Sequence, residues 1–143
     1  MRLFGTNSGG LVGMDILLIE KDKITRDHIK VGLKCVHGME VDVAEGFSAI
    51  NKARQKSYDY IIIGHEEGVQ DGVAQVHALR EFDRDTDVVL VTTPKQAKLL
   101  ASEKAKLHIY STLNRPIEVR EFFRLVARMR ERVAGKASVA KTS

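Results

Sequence analysis

Ile61, Ile62 and Ile63 stand together between Asp59 and Gly64, and this run constrains the chain more than any other stretch. Consecutive β-branched residues are stiff, suit a pleated surface, and here are too few to form a helix before the glycine. Because polar and apolar residues do not alternate, both faces of such a strand must be covered, as in the interior of a parallel sheet. Directly after it come Gly64, His65, Glu66 and Glu67, and then Asp71-Gly72. Open α/β sheets place their sites outside the carboxyl ends of the strands, so a site is expected in this polar loop.

The remaining segments repeat the same alternation. Ile16 to Ile19 is a first apolar run that stops at Glu20-Lys21-Asp22, with Asp22 placed to cap a helix over residues 23–35 that carries Ile29 and Leu33 on one face. Residues 40–44 alternate and suit a strand nearer an edge, followed by a helix over 48–55. Val73, Val76, Leu79 and Phe82 recur every third residue and predict a third helix, and Val88 to Val91 a doubly buried strand ending at Thr92-Thr93-Pro94. Residues 95–106 predict a weaker helix, 108–113 a fifth strand, and 117–132 a long helix with Val119, Phe122, Phe123, Val126 and Met129 inward. Five βα units with short connections imply an α/β fold, a doubly wound, five-stranded parallel sheet with helices on both faces.

Composition sets outer limits. At 143 residues the chain fits one domain that buries roughly two thirds of its unfolded surface. Its one cysteine, Cys35, excludes an internal disulfide and a cysteine-based metal site, and is expected to pack inside a protein of a reducing compartment. Residues 1–13 lack the continuous apolar segment of about 7–15 residues that a signal peptide needs, and nothing approaches the roughly 18 of a membrane span. The expectation is a cytoplasmic protein without membrane association, organised as a flexible arm over 1–13, a domain over 14–134 and a tail or linker over 135–143. The net charge of +4 is uneven, because from Arg120 onward there are seven bases against two acids. Such a balance can attract nucleic acid or acidic partners, but is more commonly a solvated helix face.

Taken together, the acid at Glu20 ending the first strand, the GFSAI turn from Gly46, the YDYIII strand with Asp71-Gly72 beyond it, Leu79-Arg80, Thr92 after the fourth strand and Arg115-Pro116 after the fifth resemble the receiver domain of bacterial response regulators, over residues 14–132. The resemblance implies the (βα)5 flavodoxin-like receiver fold and a role in two-component signalling and phosphorelay. It also implies a phosphoacceptor aspartate at the end of the third strand, where this chain has Gly64, and a pair of acids that hold Mg²⁺, where it has Glu20 and Lys21. An ammonium in place of a carboxylate removes a ligand and adds repulsion, so Mg²⁺ binding should be impaired and no cofactor is expected. Thr92 matches the hydroxyl that contacts the phosphoryl group, and Arg115 stands where the family has a lysine. The aromatic switch position is Thr112, with Tyr110 two residues before it.

These residues suggest an atypical receiver with a degenerate phosphorylation site (Glu20, Lys21, Gly64, Thr92, Arg115), no catalytic residues and no enzyme activity. It would act independently of phosphorylation by binding a protein partner, another signalling protein or a second copy of itself, through a face that includes Lys98, Lys106, Tyr110, Thr112, Arg120 and Arg124. Glu20, Lys21 and Arg115 could form an ion cluster in which one carboxylate is shared by two cations, or Lys21 could point into solvent and leave Glu20 with Arg115. A second reading is a phosphorelay receiver modified at His65, Glu66 or Glu67. A third is a nucleic-acid-associated protein using Lys95, Lys98, Lys104, Lys106 and the arginines Arg124, Arg128 and Arg132, which lacks stacking aromatics or a recognition helix. His65-Glu66-Glu67 fails the metalloprotease spacing because the position that needs His is Val69, so no metal site is expected. His28 and His77 suit the helix surface and His108 the start of a strand.

Overall fold

The computed structural model describes residues 13–142. Of the expected N-terminal arm only Gly13 falls among them. Strands β1 (Met14–Ile19), β3 (Tyr60–Gly64) and β4 (Asp87–Thr92) form the middle of a five-stranded sheet, and β2 (Met39–Ala44) and β5 (Ile109–Asn114) its edges, in the order β2-β1-β3-β4-β5. Every pairing is parallel. The continuous aliphatic runs lie inside, where every residue of β3 and β4 is buried, whereas the alternating β2 is partly exposed along its length.

Side chains two apart share a face of the sheet, and the two faces build two cores. Ile16, Leu18, Ile62, Val89 and Val91 pack with Ile29 and Leu33 of α1 (Lys23–Lys34) and with Phe122, Leu125, Val126 and Met129 of α6 (Val119–Thr142). Leu17, Ile19, Ile61, Ile63, Val88 and Leu90 pack on the other side with Ile50, with Val76 and Leu79 of α3 (Gly72–Arg80) and with Leu107. Asp22 caps α1 by accepting from the Thr25 N–H at 2.9 Å. Gly32 costs α1 about 1 kcal/mol relative to Ala, but a Cβ there would lie 2.5 Å from the Phe122 ring, so the glycine lets α1 and α6 approach. The second helical segment is a 3-10 turn (Phe47–Ile50) leading into the short α2 (Asn51–Gln55).

Four expectations are corrected. The helix over 95–106 is two helices, α4 (Pro94–Leu99) and α5 (Ala101–Lys106), because Leu100 leaves the helical region between them. The expected tail from Gly135 is helical, since α6 runs on to Thr142. Arg132 and Lys136 both reach the Asp87 carboxylate, at 2.7 and 2.9 Å, and fasten the turn that holds Gly135. Cys35 is exposed rather than packed, as the residue that ends α1. His108 also precedes β5 instead of opening it, exposed and at φ 54°.

The pairings bring Ile19 beside Ile63, Gly64 beside Val91 and Thr92 beside Asn114. The carboxyl ends of the strands therefore meet along one edge, and the loops after β1, β3 and β5 close over it. Among the described residues, no helix is long and apolar enough to cross a membrane.

Candidate functional site

Glu20 follows β1 directly, and its side chain is fully buried. One carboxylate oxygen, Oε1, lies 2.9 Å from Arg115 Nη2. That guanidinium nitrogen also donates to Val91 O at 3.0 Å, and its contact with Oε1 is an ion pair, Oε1 accepting no hydrogen bond among the described residues. The other oxygen, Oε2, accepts from the Asp22 N–H at 2.9 Å and from the side-chain amide of Gln70. Gln70 completes the clamp by accepting the Lys21 N–H on its Oε1, at 2.9 Å. Arg115 is held in turn by its Nη1, which donates to Thr25 Oγ1 at 3.2 Å, and by its backbone N–H, which donates to Thr92 O.

Of the two arrangements expected for Glu20, Lys21 and Arg115, the structure has the simpler one. Lys21 is exposed, with Nζ 3.5 Å from Val69 O, and Glu20 pairs with Arg115.

Gly64 ends β3 beneath this carboxylate. A Cβ built on Gly64 would lie 2.5 Å from Glu20 Oε1, 2.6 Å from its Cδ and 2.7 Å from Oε2, so the carboxylate fills the space that any side chain at 64 would need. The backbone is equally crowded, because a Cβ on Gly72 would come 2.4 Å from Gly64 O. Thr92, the last residue of β4, is fully buried, and its hydroxyl has no hydrogen-bond partner among the described residues; the same holds for Arg115 Nε.

The loop that follows disperses the His-Glu-Glu triplet. His65 turns inward and caps α3, its Nδ1 accepting from the N–H groups of Gly72 at 3.1 Å and Val73 at 3.4 Å, which leaves the ring proton on Nε2. Glu66 pairs through its backbone with Gln70, and Glu67 accepts from Gln96 Nε2 at 3.1 Å. These side chains do not converge on one point. Among the described residues no group of three or more His, Cys, Asp or Glu is arranged to hold a metal ion. At the sheet edge both oxygens of Glu20 are already engaged and Gly64 offers none, so the donor set does not fit Mg²⁺.

The other predicted residues lie around β5. Lys98 is exposed on α4, Lys106 on α5, and Arg120 and Arg124 on α6. Thr112 is half-buried in β5, and so is Tyr110, whose ring packs against Tyr60 at 5.6 Å with the Arg132 guanidinium 5.1 Å above it. The sequence reading missed Gln70 and Asp87. Burial pushes the Asp87 carboxyl up, but hydrogen bonds from Arg132 and Lys136 outweigh it and hold the group below the usual carboxylate range. An acid opening a buried strand, with two bases four apart on the last helix, was the signal for it. The pairing also takes Arg132 out of the free basic stripe.

An all-parallel sheet in the order 2-1-3-4-5, with polar side chains gathered where its strands end, is the architecture of the flavodoxin-like class. Within that class the chain belongs to the response regulator receiver domain family, whose profile matches residues 16–127. Similar solved structures include NtrX from Brucella abortus, 18% identical with a TM-score of 0.76 over 92% of this chain and 30% of that one. The receiver domain of AraT from Geobacillus stearothermophilus is 18% identical with a TM-score of 0.73, over 87% of this chain and 98% of that one. The chemotaxis response regulator CheY4 of Vibrio cholerae is 22% identical with a TM-score of 0.71, over 82% and 98%. No curated protein matches the sequence significantly.

Proposed function

We propose that this chain is an atypical receiver that signals through protein contacts without being phosphorylated. One observation carries the reading: the Glu20 carboxylate lies over Gly64, paired with Arg115, in the space an acceptor side chain would occupy. Phosphoryl transfer to a receiver needs a carboxylate to attack and a cation to neutralise the phosphoryl oxygens. Gly64 supplies no nucleophile, and a carboxylate already committed to a guanidinium is a poor ligand for a dication. The domain accordingly works without Mg²⁺ or another cofactor and is not an enzyme. Its output passes through the exposed groups around β5, including Lys98, Lys106, Arg120 and Arg124, to a protein partner or a second copy of the chain. Modification at His65 is disfavoured because the residue is buried and its Nδ1 accepts from the first turn of α3.

Incubation of the intact chain with a small-molecule phosphodonor and Mg²⁺, read by intact-mass spectrometry, tests this. The expected spectrum shows no added phosphoryl group. A stoichiometric adduct would overturn the proposal, and its location at His65, Glu66 or Glu67 would identify the alternative chemistry.

A further inference from the structure

We propose that Glu20 is a tethered anion plugging an oxyanion site that the fold itself builds, so that removing its carboxylate opens the site to free carboxylates. The Arg115 guanidinium, the Gln70 amide and the Asp22 N–H converge on the carboxylate. Two further buried donors, Arg115 Nε and the Thr92 hydroxyl, have no hydrogen-bond partner among the described residues. Buried polar groups left unpaired are costly, and a single side-chain carboxylate reaching in from β1 satisfies only part of this set. Glu20 Oε1 itself accepts no hydrogen bond among the described residues, so the donors and their tethered anion are imperfectly matched. Glu20, Lys21 and Gln70 also line a cleft of about 670 Å³ between the end of β1 and α3, and deleting the buried carboxylate would extend this cleft toward Arg115.

Replacing Glu20 with Ala deletes a CH₂–COO⁻ unit, the size and charge of acetate. It leaves the guanidinium buried without its counter-charge, which strongly destabilises a folded protein. Acetate entering through the cleft restores the missing charge, and because it binds only the folded chain it raises the melting temperature by mass action. The inference deepens the reading of the site as closed to phosphoryl transfer. Its test is separate, because it involves no phosphodonor and no covalent change.

The experiment is thermal unfolding of the full chain and of Glu20→Ala and Glu20→Gln in sodium acetate, sodium phosphate and sodium chloride of matched ionic strength near pH 7. Glu20→Ala should melt well below the parent in chloride and gain roughly 4–6 °C, saturably, at about ten times the acetate Kd. The parent chain and Glu20→Gln, whose side chains still fill the site, should show no difference between acetate and chloride. A larger gain in phosphate than in acetate would show that the vacated site selects inorganic oxyanions instead and would overturn the carboxylate assignment. Equal melting of Glu20→Ala in all three salts would overturn the proposal altogether. If that variant is unfolded in chloride, recovery of its helical circular dichroism on adding acetate is the supporting result, and its absence the refuting one.

Discussion

Gly64 and Glu20 depend on each other. The carboxylate lies where a Cβ would stand, so even one methyl group at 64 must push it away from Arg115. Gly64→Ala should destabilise the chain by about 1–3 kcal/mol, the usual cost of overpacking a tight site. In a Glu20→Ala background the same methyl has room, so the second substitution should cost markedly less. Urea denaturation of the four proteins in the cycle measures the coupling, and simple additivity would show that the two residues do not compete for one space. By the same reasoning Gly64→Asp alone should not restore phosphorylation. The residue types at this site were legible in the sequence, since Glu20, Gly64, Thr92 and Arg115 do meet at the carboxyl edge. Their posture was not. Whether Lys21 or Arg115 would hold Glu20 depended on rotamers, and Gln70 became its clamp because a hairpin-like loop, closed by Glu66 and Gln70 with Gly68 at φ 81°, folds back over β1.

At the scale of elements, the order of strands and helices followed from hydrophobic pattern because each run is short, pure and bounded by Gly, Pro or charge. The departures occurred where tertiary contacts overrode local signals. Gly135 reads locally as the start of a tail, yet α6 continues through it because Arg132 and Lys136 grip Asp87 from either side of the glycine. Thr93 and Pro94 start α4 as their chemistry dictates, whereas the break at Leu100 had no glycine or proline to announce it. The Asp87 clamp carries a pH signature. Its folded-state pKa is lowered, so its stabilisation is complete above the ordinary carboxylate range and is lost as pH falls through the folded value. Asp87→Asn should therefore destabilise the chain by about 1–3 kcal/mol at neutral pH and flatten the acid limb of its stability profile. Denaturation midpoints between pH 7 and pH 3 check this, and parallel profiles for parent and variant would contradict it.

The molecule as a whole joins a closed site to an exposed, mostly basic surface. Nucleic-acid binding through that surface gains little support, because Arg132 is committed to Asp87 and its guanidinium covers Tyr110. In receivers of ordinary chemistry a phosphoryl group biases an equilibrium between two conformations, and such a bias requires a ligand that favours one of them. Here an internal carboxylate occupies the site, Thr112 stands where the resemblance places the switch aromatic, and Tyr110 is held between Tyr60 and Arg132. The account therefore predicts one conformation, with an output face that is constitutively presented. The most direct measurement is the amide spectrum of the intact chain recorded with and without Mg²⁺ and the phosphoryl mimic beryllofluoride. The account predicts that resonances near Gly64 and those of Tyr110, Arg120 and Arg124 stay in place; shifts spreading from Gly64 to Tyr110 and Arg120 would reveal a working switch and contradict it.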